Sequence, residues 1–262
     1  MNVTPSADPS GIGPQIERDG FAIVEGVLDP DFCERAKGEL ERAVDREAAY
    51  HGGTGYSDYG MVLLCSLYGG TFLELLDNQR LMDGFEAVLG PGCIIYSYTS
   101  SSMPPGKTNF SRRIHVDSPR LVPGFVTNMG ATILLDDFTD ENGPTAYLPG
   151  SHTRVEPPSD EEFTRDAQRV LAPAGSVFYF NARLWHAGGD NRTDRWRHAL
   201  MINMCRPFMK QRLDVPRAMD GIDLRGVSDR ALQKMGFHAQ VPASYDEYYV
   251  PPAERKFKQP VE

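Results

Sequence analysis

Residues 112–117 read Arg-Arg-Ile-His-Val-Asp, and His115 and Asp117 are the first pair whose types and spacing can do chemistry. On an extended strand, residues i and i+2 project from the same face, so the imidazole and the carboxylate would converge on one point. An imidazole joined to a carboxylate suits iron(II), manganese or zinc. A pair is not a site, and the same two residues would also serve as ordinary polar groups at a strand end. The third ligand indicated is His186, in Tyr-Phe-Asn-Ala-Arg-Leu-Trp-His-Ala-Gly. Its rival is His152, which lies in a Pro-Gly-Ser-His turn, while His51, His198 and His238 sit less favourably. Two histidines and one carboxylate on a β scaffold would form a facial triad, leaving coordination positions open for dioxygen and a cosubstrate.

The residues C-terminal to His186 strengthen its candidacy. Arg197 comes eleven residues later, across the turn-rich stretch Ala-Gly-Gly-Asp-Asn-Arg-Thr-Asp-Arg-Trp. A hairpin there would bring the chain back beside the histidine strand, with Arg197, Ala199, Met201 and Asn203 alternating onto the metal side. A buried guanidinium requires an anionic partner, and a carboxylate bound bidentately matches it best. The alternative is a solvated arginine beside Arg192 and Arg195.

The elements that must position these groups are short β-rich runs: 93–103, 112–117, 126–138, 146–149, 176–188 and 197–208. Pro-Pro-Gly, Ser-Pro, Glu-Asn-Gly-Pro, Pro-Gly-Ser and Pro-Ala-Gly separate them, a punctuation that indicates a barrel or jelly roll. Ahead of them comes a strand over Phe21–Val24. A helix then starts at Asp29-Pro30, with Leu40 and Val44 at helical spacing, and residues 71–90 predict one or two helices ending at Gly90-Pro91. Ser228 caps a further predicted helix over 228–237. Residues 1–14 are expected to be flexible. The Gly- and Tyr-rich segment 50–60 reads as a loop able to cover a pocket, and residues 209–262 as an extension able to act as a lid.

Composition sets outer bounds. A chain of 262 residues, 40% hydrophobic, has enough apolar material for one sizeable core, and we expect a single domain. The formal charge of −9 argues against nucleic acid or an anionic membrane as partner. Four scattered cysteines, without a CxxC pair, suggest reduced thiols, and the first residues lack the features of a signal peptide, so a cytoplasmic location is expected. No apolar run approaches the roughly 18 residues of a membrane span.

Taken together, four segments resemble the phytanoyl-CoA dioxygenase family of iron(II)/2-oxoglutarate oxygenases. They are Ile-Glu-Arg-Asp-Gly-Phe-Ala-Ile-Val near the start, Ile-His-Val-Asp-Ser-Pro, residues 134–152 with Asp-Glu-Asn-Gly and Pro-Gly-Ser-His, and residues 175–200. The resemblance implies a mainly β fold with flanking helices, a double-stranded β-helix or cupin-like jelly roll. It implies that His115, Asp117 and His186 bind Fe(II), that 2-oxoglutarate chelates the iron, and that its distal carboxylate meets Arg197, with Thr132 beside it. It implies a dioxygenase that uses O2 to oxidise an unactivated C–H bond of a small molecule, by hydroxylation or else by desaturation, cyclisation or epimerisation, in a setting such as secondary metabolism.

One agreement with the family pattern and one departure from it matter. Asp117 is retained, which argues against the halogenating variant, where a small residue replaces the carboxylate. A hydroxyl donor often stands two residues after the distal histidine, and here that position is Gly188. For substrate contacts the reading points to Tyr59, Asn109 and Arg113, with Arg112 and Arg120 nearby and one of Tyr96, Tyr98, Ser100 or Ser102 facing in. The competing reading is a catalytically silent cupin-like protein that binds a metal or a small molecule.

Overall fold

The computed structural model describes residues 11–108 and 110–255. Its frame is a five-stranded antiparallel sheet in the order β1-β6-β3-β8-β2 and a three-stranded sheet in the order β5-β4-β7. The strands are β1 (Phe21–Val24), β2 (Ile94–Ser100), β3 (Asn128–Leu134), β4 (Ala146–Tyr147), β5 (Gln168–Arg169), β6 (Val177–Asn181), β7 (His186–Ala187) and β8 (Ala199–Cys205). The two sheets face each other across an apolar layer of Phe21, Leu134, Phe138, Tyr147, Phe178, Phe180 and Leu184. This is the jelly-roll arrangement expected from the strand pattern, with helices packed on the outside of the larger sheet.

The principal helices are α1 (Ile12–Asp19), α2 (Pro30–Tyr50), α3 (Gln79–Leu89), α4 (Asp160–Asp166) and α5 (Asp229–Met235). Helix α2 begins where the sequence indicates, because the Asp29 carboxylate accepts from the Phe32 amide at 2.7 Å and Pro30 occupies the first turn. Ser228 caps α5 through the Ala231 amide. The expected loose stretch over 1–14 does not hold at its end: Ile12–Pro14 open α1, and Ile12 is fully buried. Residues 1–10 lie outside those described.

Strand alternation sorts the large sheet into two faces. Met129, Ala131 and Ile133 of β3, Val177 and Tyr179 of β6, and Leu200, Ile202 and Met204 of β8 pack with Leu40 of α2 and Phe85 of α3. Each helix thus covers a row of side chains that the two-residue period sends outward. The opposite face carries Asn128, Gly130 and Thr132 of β3, in register with Asn203 and Met201 of β8 and with Phe180 and Phe178 of β6. Gly130 is required there, since a Cβ would sit 2.3 Å from the Phe180 ring.

Two local expectations are corrected. Residues 112–117 do not form a strand; His115 makes a lone bridge to His186, extending the small sheet past β7. Nor does the chain between His186 and Arg197 close a hairpin. Strand β7 belongs to the small sheet, while Arg197 pairs with Met103 and leads into β8 of the large one. The turn residues carry the chain from one layer to the other, a crossing that local sequence cannot distinguish from a hairpin.

Candidate metal centre

The backbones of residues 115 and 186 exchange both hydrogen bonds, His115 N to His186 O at 2.9 Å and His186 N to His115 O at 3.0 Å. This pairing lays the two imidazoles side by side, ring centroids 4.2 Å apart. Asp117 lies two residues further on, and its Oδ1 is 3.6 Å from His115 Nε2 and 3.8 Å from His186 Nε2. One donor atom from each of the three lies within 4.8 Å of the others, as a single cation requires. The expected convergence therefore holds although no regular strand surrounds it.

The outer contacts set the tautomers. His115 Nδ1 lies 2.8 Å from the Arg113 carbonyl and His186 Nδ1 lies 2.9 Å from the Leu184 carbonyl. A carbonyl can only accept, so each Nδ1 carries the proton and each neutral ring presents its Nε2 lone pair to the centre. His186 Nε2 is buried without any hydrogen-bond partner. Such an orphan is rare in a folded interior and is explained where a cation completes it. Asp117 Oδ2 accepts from Asn203 Nδ2 at 3.3 Å, and Asn203 Oδ1 accepts from Asn128 Nδ2 at 3.1 Å. Strands β8 and β3 thus hold the carboxylate in place.

The charges reflect this layout. Burial alone would raise the Asp117 carboxyl, but the proximity of His115 and His186 and the hydrogen bond from Asn203 outweigh it and hold it below the ordinary range. Burial also lowers His115, and the neighbouring Asp117 reverses that into a net rise. His186 is lowered, chiefly by burial. A carboxylate that stays ionised and a neutral, buried imidazole are the forms that bind divalent metal.

Arg197 is 2% exposed, and the expectation that it lies inside is met. Its Nη1 donates to the Ser101 carbonyl at 2.9 Å and its Nη2 to the Gly143 carbonyl at 3.1 Å. The guanidinium carbon lies 4.4 Å from the Phe138 ring centroid, and Nε has no partner. Burial pushes its pKa down to about 9 against the weak pull of Asp136. No carboxylate pairs with it among the described residues, so a buried charge stands ready for an anion. Thr132 is buried on the same inward face, level with Met201 and Phe178.

A cavity of about 190 Å³ opens onto His115 and Asp117, lined also by Met61, Tyr96, Ser97, Thr99, Ser111, Met201, Asn203 and Arg212. Among the four candidates in the 93–103 run, Tyr96 lines it and Tyr98, Ser100 and Ser102 do not. Tyr98 donates to the Phe72 carbonyl, Ser100 to the Gly60 carbonyl, and Ser102 contacts His198 Nδ1. A bulge between Ile95 and Ser97 reverses the parity of the strand, so Ser97 and Thr99 face in. Tyr59 packs edge-on against Trp196 at 5.4 Å rather than lining the cavity. The Arg113 side chain is exposed, and only its carbonyl serves the centre. Asn109 lies outside the described residues. His152 contacts the Glu17 carbonyl at 3.1 Å, away from the triad, which removes it as a ligand. Arg212, from the C-terminal extension, is not marked by any sequence pattern; its amide donates to the Tyr96 carbonyl at 2.9 Å, a long-range contact with no local signal.

Comparison with known proteins places this geometry in context. The family described as Phytanoyl-CoA dioxygenase (PhyH) matches residues 16–199. An uncharacterized protein of Mycobacterium tuberculosis, Rv1501, is 30% identical over 91% of this chain and 90% of its own length. Dioxygenase cdmA of Talaromyces verruculosus is 24% identical, covering 83% of this chain and 80% of that protein. Among solved structures, the non-heme alpha ketoglutarate dependent epimerase SnoN from nogalamycin biosynthesis superposes with a TM-score of 0.60 at 21% identity, over 76% of this chain and 84% of that one, and shows the same fold. With the family match spanning most of the chain and the triad assembled within it, this protein belongs to the phytanoyl-CoA dioxygenase family of non-haem oxygenases.

Proposed function

We propose that the protein is an iron(II)- and 2-oxoglutarate-dependent dioxygenase that oxidises a C–H bond of a small molecule. One observation carries the reading: an orphaned buried imidazole nitrogen at a His-Asp-His cluster shares the jelly-roll interior with a buried arginine lacking a carboxylate partner. His115, Asp117 and His186 would hold Fe(II), and Arg197 would take the distal carboxylate of 2-oxoglutarate, with Thr132 on the same inner face. The family and the SnoN likeness support that cosubstrate.

When bound, the iron, 2-oxoglutarate and O2 supply the oxidising power, so that one oxygen enters the substrate while succinate and carbon dioxide form. The chain's own residues do the rest. Asn203 and the carbonyls of Arg113 and Leu184 fix the three ligands. Phe180 and Met201 make part of the cavity wall apolar, and Tyr96, Ser97, Thr99 and Arg212 add polar groups that select and orient the substrate. Hydroxylation is the primary outcome proposed; desaturation, cyclisation or epimerisation would use the same centre with a different substrate position. A role in secondary metabolism is consistent with the relatives.

The test is anaerobic. The Fe(II)-loaded protein should develop a weak visible charge-transfer band on addition of 2-oxoglutarate, and release succinate when oxygen and a suitable small molecule are supplied. Product mass then names the reaction: one added oxygen for hydroxylation, loss of two hydrogens for desaturation or ring closure, no change for epimerisation. A protein that takes up iron without either signal would instead be the silent metal-binding cupin.

A further inference from the structure

Gly188, two residues beyond His186, is not glycine for reasons of backbone conformation, since it is absent from the positions with positive φ. Its side-chain space is occupied. A Cβ built there would lie 2.2 Å from Ser111 Oγ and 3.2 Å from Met103 Cε. The two residues are tied together, as the Gly188 amide donates to the Ser111 carbonyl at 2.7 Å, just beyond the bridge that pairs His115 with His186. Ser111 also lines the cavity with His115, Asp117 and Asn203. On the other side of Gly188, Met103 reaches Gly143, whose carbonyl accepts from Arg197. The Ser111 hydroxyl therefore sits beside Gly188 on the wall of the cavity that opens onto His115 and Asp117.

We propose that Ser111 is a cosubstrate-binding residue, donating its hydroxyl to the keto-acid end of 2-oxoglutarate, and that Gly188 is glycine so that a hydroxyl can arrive from the short 3-10 turn Phe110–Arg112. This rests on the proposed use of 2-oxoglutarate. The geometry makes an exchange prediction. A serine at 188 would start its side chain within about 2 Å of where the Ser111 hydroxyl now sits, so the donor can be moved from residue 111 to residue 188 only if residue 111 first gives up the space.

The experiment compares Ser111→Ala, Ser111→Gly, Gly188→Ser and the double variant S111G/G188S, each loaded anaerobically with Fe(II). Three quantities are read: iron affinity, 2-oxoglutarate affinity from the charge-transfer band, and thermal midpoint. Ser111→Ala and Ser111→Gly should weaken 2-oxoglutarate roughly tenfold, the loss expected for one hydrogen bond to a charged group, while iron affinity and melting stay near wild type. Gly188→Ser alone should lower the thermal midpoint through crowding. The double variant should recover 2-oxoglutarate affinity to within about threefold of wild type, reversing the affinity defect of Ser111→Gly and the thermal defect of Gly188→Ser. Unchanged affinity in Ser111→Ala overturns the proposal. So does a double variant no better than Ser111→Gly, which would assign Ser111 to loop packing. A wild-type protein that binds iron but gives no band removes the cosubstrate reading itself, and this proposal with it.

Discussion

The two faces of the large sheet are built from the same strands and obey opposite rules. On the helix side the alternating residues are apolar, and the few polar groups are tied off: Tyr98 donates to the Phe72 carbonyl at 3.1 Å and Tyr179 to the Leu81 carbonyl at 2.9 Å. On the inner side the strands carry Asn128, Thr132 and Asn203, and they enclose a histidine nitrogen and an arginine nitrogen with no partner. The first face gains stability from dispersion and burial. The second gives some of it up, because a desolvated polar group without a partner costs roughly 1–3 kcal/mol. A metal-ligating imidazole nitrogen and a guanidinium nitrogen left without partners on the inner side mark where ligands belong.

That contrast can be broken by substitution. The largest effect is expected from His186→Ala, which removes a ligand and should weaken iron(II) binding beyond detection in an anaerobic titration, yet leave the protein folded because the pairing of residues 115 and 186 is made by their backbones. Arg197→Ala should raise the 2-oxoglutarate concentration needed for half-saturation about a hundredfold, as expected for a charge-assisted pair, with iron affinity nearly unaltered; an unaltered 2-oxoglutarate requirement would show that another cation holds the carboxylate. On the opposite face, Ile133→Ala should cost about 2–5 kcal/mol in chemical denaturation, as for other buried aliphatic truncations, while iron and 2-oxoglutarate affinities of the folded protein stay unchanged. The smallest effect should come from Asn203→Ala. Asp117 keeps its contacts with both histidines, so iron binding should weaken only about tenfold, in the range seen when a residue that orients a ligand is lost.

Much of the site is legible in residue types and short spacings. His115 and Asp117 lie two apart, and any extended backbone brings them together, even one making a single bridge. Where the reading relied on regular continuation it failed. The sequence leaves open which of Tyr96, Tyr98, Ser100 or Ser102 faces in, and a bulge after Ile95 brings Ser97 and Thr99 to the cavity beside Tyr96. Tyr59 and Arg113 had plausible types for substrate contact, but packing directs one against Trp196 and leaves the other exposed.

The linear chain determined the alternating strands, the capped helices and the ligand pair, because each depends on neighbours a few positions apart. Only the folded structure decided which later histidine closes the triad, that Arg197 enters through a change of sheet rather than a hairpin, and that Ser111 fills the space of Gly188. Those outcomes depend on contacts between residues 54 to 96 positions apart or on the pairing of residue 115 with 186. Such contacts form only when the layers close, and no local preference encodes the register in which they meet.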